Sequence, residues 1–334
     1  MRNRLHNAGF PAFLGLAVLG LACQGETPGP TVTDSDTSAE EESDVIDLRA
    51  RFPEPDENTI QIVSPDMEVG PFTDLEMCYY GSYDGPDVGV NSFVQFHPFD
   101  FHHHSFLRNT PDEDTYEDGA FVPCPPASGG MARSQIFQAV KLADPKGDGD
   151  WISVPEGYAF AFPRGQRWYA DLHYINTSEK PLIVNTAFNL GVVPAEEVHT
   201  WISTYDFDIC DFTLPPQEVT AVSFDCPLPA GANVLSVFAH MHEAGQNYQV
   251  ELVRADGTAQ TLLETAWGLD YRYSPPNETY QPGEMVAEEG DVLRTTCTWN
   301  NTTDQAIMCP EEMCTTQGVA SGMNGMTFCE RADP

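Results

Sequence analysis

His240 and His242 close the apolar run VLSVFA with one residue between them. At i and i+2 on a β-strand they point to one face and can grip a single metal ion together. Met313, 71 residues beyond His242 in Glu312-Met313-Cys314, offers a thioether as a third donor. Zinc, calcium and magnesium make little use of methionine sulfur, whereas soft Cu(I) does. The upstream half carries a second set: His102, His103 and His104 in VQFHPFDFHHHSFL, and His173 in DLHYI. Adjacent residues on a regular strand face opposite ways. Neighbouring histidines therefore share a metal only where the backbone is irregular or the rings coordinate through the nearer nitrogen. Two separated sets, one of imidazoles alone and one with sulfur, predict two copper ions, one softer than the other.

Each feature has a plainer reading. The upstream histidines would otherwise be a surface patch with His173 in a core. Met313 would otherwise be packing, and Met308, Met323 and Met326 are comparable thioethers. Glu76-Met77-Cys78 repeats the downstream triplet, and H-x-H pairs also occur in cupins and zinc enzymes. Other chemistries lack their motifs. There is no GxSxG, HExxH, Walker loop or dinucleotide fingerprint, and carboxylates are too numerous for one acid/base pair to stand out.

The elements that would position these residues are strands. Helical periodicity is scarce, and short β-rich runs alternate with Gly, Pro, Asn and Asp. They include SFVQFHPF, YAFAF, RWYADLHYI, LIVNTAFNLGVV, EVTAVSFDC, VLSVFAHMH, NYQVELV and DVLRTTCTWN. This pattern predicts an all-β fold of antiparallel sandwiches. Asp256-Gly257 is a hairpin turn signal. Pro194 to Glu197 reads as a turn between a closing strand and the opening strand HTWISTYDFDI. The expected division is therefore 58–196 and 197–334, with no internal repeat visible.

The N-terminus reads as an export signal over residues 1–23: Arg2 and Arg4, then the apolar run FPAFLGLAVLGL. Gly20-Leu21-Ala22-Cys23 resembles a bacterial lipobox, which would lipidate Cys23; the alternative is an ordinary cleaved signal. Residues 24–57 are rich in Pro, Ser, Thr and acids and read as a disordered tether. Membrane contact is expected through the anchor alone, with the body in the periplasm or at the cell surface. Net charge is −36, from 51 acids and 15 bases, which argues against nucleic acid and anionic lipid as partners. Setting Cys23 aside leaves eight cysteines, Cys78, Cys124, Cys210, Cys226, Cys297, Cys309, Cys314 and Cys329. In an exported chain these predict up to four disulfides.

The order His103-His104, His173-Tyr174, His240-Met241-His242, Glu312-Met313-Cys314 resembles the copper type II, ascorbate-dependent monooxygenases, the family of peptidylglycine α-hydroxylating monooxygenase and dopamine β-monooxygenase. The likeness covers roughly residues 60 to 330, and the intervals of 69 (His104 to His173) and 71 (His242 to Met313) are close to the family's. The resemblance implies two tandem jelly-roll-like domains and the pairs Cys78–Cys124, Cys297–Cys314 and Cys226–Cys329, which leaves Cys210 with Cys309. It implies that His103, His104 and His173 hold an electron-storing copper, with His102 in reserve. His240, His242 and Met313 would hold the copper at which O2 meets a substrate C–H bond.

Two departures bear on substrate. Amidating members carry Arg two residues before H-x-H, where Phe238 stands, and Tyr four residues after the methionine, where Gln317 stands. Asp171 occupies the position of a Gln in those members. A peptidylglycine substrate is thus not expected. The expectation is a copper monooxygenase hydroxylating a small organic molecule with O2 and ascorbate or a similar reductant. The alternative is a copper-sequestering lipoprotein on the same scaffold.

Overall fold

The computed structural model describes residues 44–98, 100–110, 116–125, 136–139, 150–272, 275–323 and 327–330. The export signal, Cys23, the tether up to residue 43 and Met326 lie outside the described residues. Among the described residues every regular element is a strand or a short 3-10 turn. The all-β expectation therefore holds, with four disulfides closing the chain.

A ten-stranded sheet runs through the whole body. Its upstream part includes Thr59–Val63, Ala187–Pro194, Val88–Phe96 and Tyr158–Phe162. Its downstream part includes Thr200–Ile209, Cys314–Ser321, Asn233–His240 and Asn277–Thr279. The parts join where Tyr158–Phe162 pairs in parallel with Thr200 to Ile202. A five-stranded sheet built on Asp74–Ser82, Arg167–Ile175 and His102–Asn109 faces the upstream part. A four-stranded sheet of Glu218–Pro227, Val292–Asn301, Gly245–Val253 and Ala259–Ala266 faces the downstream part.

Two hydrophobic cores fill the spaces between sheets. The upstream core holds Leu107, Ala170, Leu172 and Tyr174 against Val90, Phe93, Phe162 and Phe188. The downstream core holds Tyr205, Phe207, Val237 and Ala239 against Tyr248, Val250, Leu293 and Trp299. Strand alternation sets which residues are left for other work. In Arg167–Ile175 the even positions enter the core, so Asp171 and His173 turn to the opposite face. In Asn233–His240, Val237 and Ala239 enter the core, so Phe238 and His240 turn away from it.

Three local findings refine the sequence reading. LIVNTAFNLGVV is two strands in different sheets, Leu182–Val184 and Ala187–Pro194, because the chain turns at Asn185-Thr186. The body begins earlier than composition suggests: Ile46–Asp47 pairs in parallel with Leu182 and Ile183, and Ile46 and Leu48 pack on the upstream core. Asp256-Gly257 turns the hairpin between Gly245–Val253 and Ala259–Ala266, with Gly257 at φ 86°, a backbone region that costs glycine little.

Candidate metal centre

Asn233–His240 ends on the first histidine of the downstream pair, and His242 follows in the connection to Gly245. Met241 between them is fully buried in the downstream core. The flanking rings turn the other way and converge: their Nε2 atoms lie 3.1 Å apart with the ring planes at 89°. Two imidazole–metal bonds of about 2.0–2.1 Å span such a separation. His242 Nδ1 donates to the Glu311 carbonyl at 2.9 Å. That bond assigns the proton to Nδ1 and leaves the Nε2 lone pair facing His240. Trp267 Nε1 donates to the His242 carbonyl at 2.9 Å and steadies the turn from below.

Glu312 ties the methionine segment to this turn. It is 1% exposed and accepts from the His242 N–H at 3.0 Å, the Ala244 N–H at 2.5 Å and Trp299 Nε1 at 3.1 Å. Burial pushes its carboxyl up, while the Ala244 and His242 N–H groups pull the other way. Met313 follows directly and is 9% exposed. Cys314 then enters the sheet, with its sulfur bonded to Cys297. The triplet is thus a clamp, a thioether and a lock in successive residues. The rival methionines differ: Met323 packs in the downstream core, Met77 packs on the upstream one, and Met308 is exposed.

The upstream set depends on a β-bulge. Leu172 pairs with Ser105 and His173 with His104, after which the register slips so that Tyr174 faces His102. His103 is the extra residue of the bulge, which re-aims a side chain that a regular strand would turn away. Its ring lies 4.7 Å from that of His173, at 84°. His173 Nε2 meets Asp74 Oδ1 at 2.5 Å, so Nδ1 is the nitrogen left for a metal on the inner side. The side chain of His104 lies outside the described residues. His102 is removed from the set. Its ring is buried on the core side, edge-on to Tyr174, stacked on His97, with Nε2 2.8 Å from Ser105 Oγ.

Beside the upstream histidines lies a pair of acids. Asp171 is buried, and its carboxyl is pushed up to about 7 by burial first and then by the neighbouring Glu76 charge, against the pull of Arg108. Glu76, Asp171 and Cys124 bring donor atoms within 4.8 Å of one another, but the Cys124 sulfur is bonded to Cys78 and cannot serve as a thiolate. In the downstream half Asp206, hydrogen-bonded to Gln317 Nε2 at 3.1 Å, is pushed up to about 6 by burial, with Arg108 again pulling down. Arg108, paired with Tyr169 on the face that carries His173, thus acts on the Asp171 and Asp206 carboxyls alike. Glu312 was visible in sequence only as the first letter of a motif. Asp74 and Arg108 carried no signal, because strand register alone brings them to the site.

No protein-family model matches the chain, and no curated protein matches it. The chain is similar in part to a solved structure described as the triple jelly roll fold and turret assembly in an archaeal virus. That likeness has 9% identity and a TM-score of 0.21, over 83% of this chain and 63% of the other. This chain thus spans under two thirds of that relative's length. It is also similar to the PBSX exported protein XepA, at 6% identity and a TM-score of 0.19, over 79% of this chain and 86% of the other.

Proposed function

We propose that this protein is an exported, two-copper monooxygenase that hydroxylates a C–H bond of a small organic substrate with O2 and ascorbate or a similar small reductant. The observation that carries the proposal is the convergence of His240 and His242 Nε2 at 3.1 Å, with His242 Nδ1 fixed by a carbonyl and the His242 N–H held by Glu312, the residue before Met313. Two imidazoles and a thioether suit Cu(I) over the harder cations. The second set, His103 and His173 with His104 opposite in register, offers nitrogen donors alone. The disulfides Cys78–Cys124, Cys226–Cys329 and Cys297–Cys314 are the pairings that the family resemblance implies, Cys210–Cys309 is the pair left by elimination, and all four suit an oxidising compartment.

In this reading His240, His242 and Met313 hold the copper that meets O2, and His103, His104 and His173 hold the one that stores an electron. Bound copper would supply one-electron chemistry toward O2, with both electrons drawn from the reductant and the products an alcohol and water. The protein's own part is positional. The Glu311 carbonyl orients His242, Glu312 and the Cys297–Cys314 disulfide fix the methionine, and Asp74 orients His173. Asp171, pushed up to about 7, can hold a proton beside His173 at neutral pH, where amidating relatives carry a neutral Gln.

The deciding experiment is copper content and O2 uptake of the purified chain beside Met313→Ile. The expected result is two coppers per chain and ascorbate-dependent O2 uptake, with the variant losing Cu(I) affinity at one site and keeping the other. One copper or none overturns the reading. Two coppers with no O2 uptake against a panel of small C–H substrates would favour a copper-sequestering lipoprotein instead.

A further inference from the structure

The histidine-bearing faces carry two charged groups, Arg108 and Asp206, each with one buried atom that has no hydrogen-bond partner. Arg108, on His102–Asn109, is 5% exposed. Its guanidinium lies 4.5 Å from the centre of the Phe106 ring. Its Nε is buried without a hydrogen-bond partner, and among the described residues the side chain forms no ion pair. Asp206, on Thr200–Ile209, is 9% exposed; one oxygen takes the Gln317 amide and the other, Oδ1, is buried without a partner. The two are near enough for Arg108 to pull the Asp206 carboxyl down, yet they do not form the ion pair that burial of both would favour. Burying an unpaired charge is costly, and structures avoid it unless something completes the pair.

The position of Asp206 follows from register. Phe238 pairs with Gln317, and Gln317 with Asp206; one rung along, His240 pairs with Thr315, and Thr315 with Asp208. Directly paired residues share a face, so Phe238, Gln317 and Asp206 form a row beside His240. Phe238 and Asp206 are two strands apart, about 10 Å at the usual strand spacing. That is the length of a small molecule with one apolar group and one polar end.

We propose that these groups bind a small zwitterion of amino-acid type, its ammonium on Asp206 Oδ1, its carboxylate on Arg108 and its apolar part against Phe238. Arg108 acts on the Asp171 carboxyl too but forms an ion pair with neither acid, so a lone ammonium would leave its guanidinium without a carboxylate in contact, and a lone carboxylate would leave Asp206 Oδ1 unpaired. The ligand's role as the hydroxylated substrate rests on the monooxygenase reading; its binding does not.

The test is calorimetry on the metal-free full chain with two sets of probes. One set is phenylalanine, phenethylamine and 3-phenylpropionate; the other is leucine, isoamylamine and 4-methylvalerate. Within each set the carbon skeleton is kept while one charge or the other is removed. In at least one set the amino acid is expected to bind ten-fold or more tighter than both analogues, as charge-assisted hydrogen bonds on each end require. Asp206→Asn should erase the preference over the carboxylate, and Arg108→Gln the preference over the amine. Equal binding of amine and amino acid in both sets, or no binding of any probe, overturns the proposal and leaves the two charges bridged by water. Because the wild-type comparison stands alone, a variant that fails to fold does not blunt it. Zwitterion binding without O2 uptake in the copper-loaded chain would sink the oxygenase reading and spare this one.

Discussion

At the scale of single residues, the site is legible where residues are rare and illegible where they are common. The chain has nine histidines, so a pair at i and i+2 and a run of three stand out. It has 51 acids, and nothing in the sequence separates Glu312 or Asp74 from the rest. Glu312 earns its importance from burial and from three donors that converge on its carboxylate. A glutamine there offers one acceptor oxygen, and its NH2 group would face an N–H or the indole donor. Glu312→Gln is therefore expected to loosen both His242 and Met313, lowering Cu(I) affinity of the downstream set about ten- to hundred-fold, the usual cost of losing an outer-shell partner. The upstream set should be untouched. Competition against a Cu(I) chelator reads both affinities; an unchanged downstream value would mean that the disulfide alone holds the methionine.

At the scale of elements, the strands that matter were readable because alternation is a strong signal in a chain poor in helix formers. Tyr158–Phe162 and Arg167–Ile175 coincide with runs visible in the sequence. The bulge at His103 was not readable, since it is set by pairing with a strand about 70 residues away. Nor was a repeated device at the strand ends. Asn176, just past Arg167–Ile175, donates from Nδ2 to Val69, Gly70 and Lys180 carbonyls at 3.0, 2.8 and 2.9 Å, and its Oδ1 accepts from the Ser178 N–H and Oγ. Asn301, ending Val292–Asn301, donates to Leu214 and Gln305 carbonyls at 3.0 and 2.8 Å and accepts from the Thr303 N–H and Oγ1. The halves thus share a clamp, and both asparagines are buried. Asn176→Ala and Asn301→Ala should each lower unfolding free energy by about 1–3 kcal/mol, the cost of stranding buried carbonyls. The clamps share no partner, so the double variant should be close to additive. Urea denaturation measures all three; a clamp that can be removed without loss would have to be replaced by water.

At the scale of the molecule, one sheet serves two cores, and the faces left over by those cores carry the buried polar groups, Arg108 and Asp206 among them. Net charge of −36 makes further buried carboxylates expensive, and Asp206 is one that ionises reluctantly. Asp206 rises from 3.8 to about 6, chiefly through burial, and Asp208 adds to the rise while Gln317 and Arg108 oppose it. A carboxyl whose folded value exceeds its unfolded one favours the folded state fully below the unfolded value. That support is lost as pH rises through the folded value. The loss for Asp206 therefore runs from about pH 4 to about pH 6 and is complete above it. Asparagine at this position keeps a group able to meet Gln317 and carries no charge to desolvate. Asp206→Asn should accordingly gain stability relative to the wild type by up to about 3 kcal/mol on going from pH 4 to pH 8. Thermal melts of the metal-free protein at half-unit pH steps measure the difference. The expected trace is a gap that opens between pH 4 and 6 and stays level to pH 8. A gap independent of pH would mean that Asp206 is ionised at no cost in the folded protein, with the Arg108 charge outweighing burial.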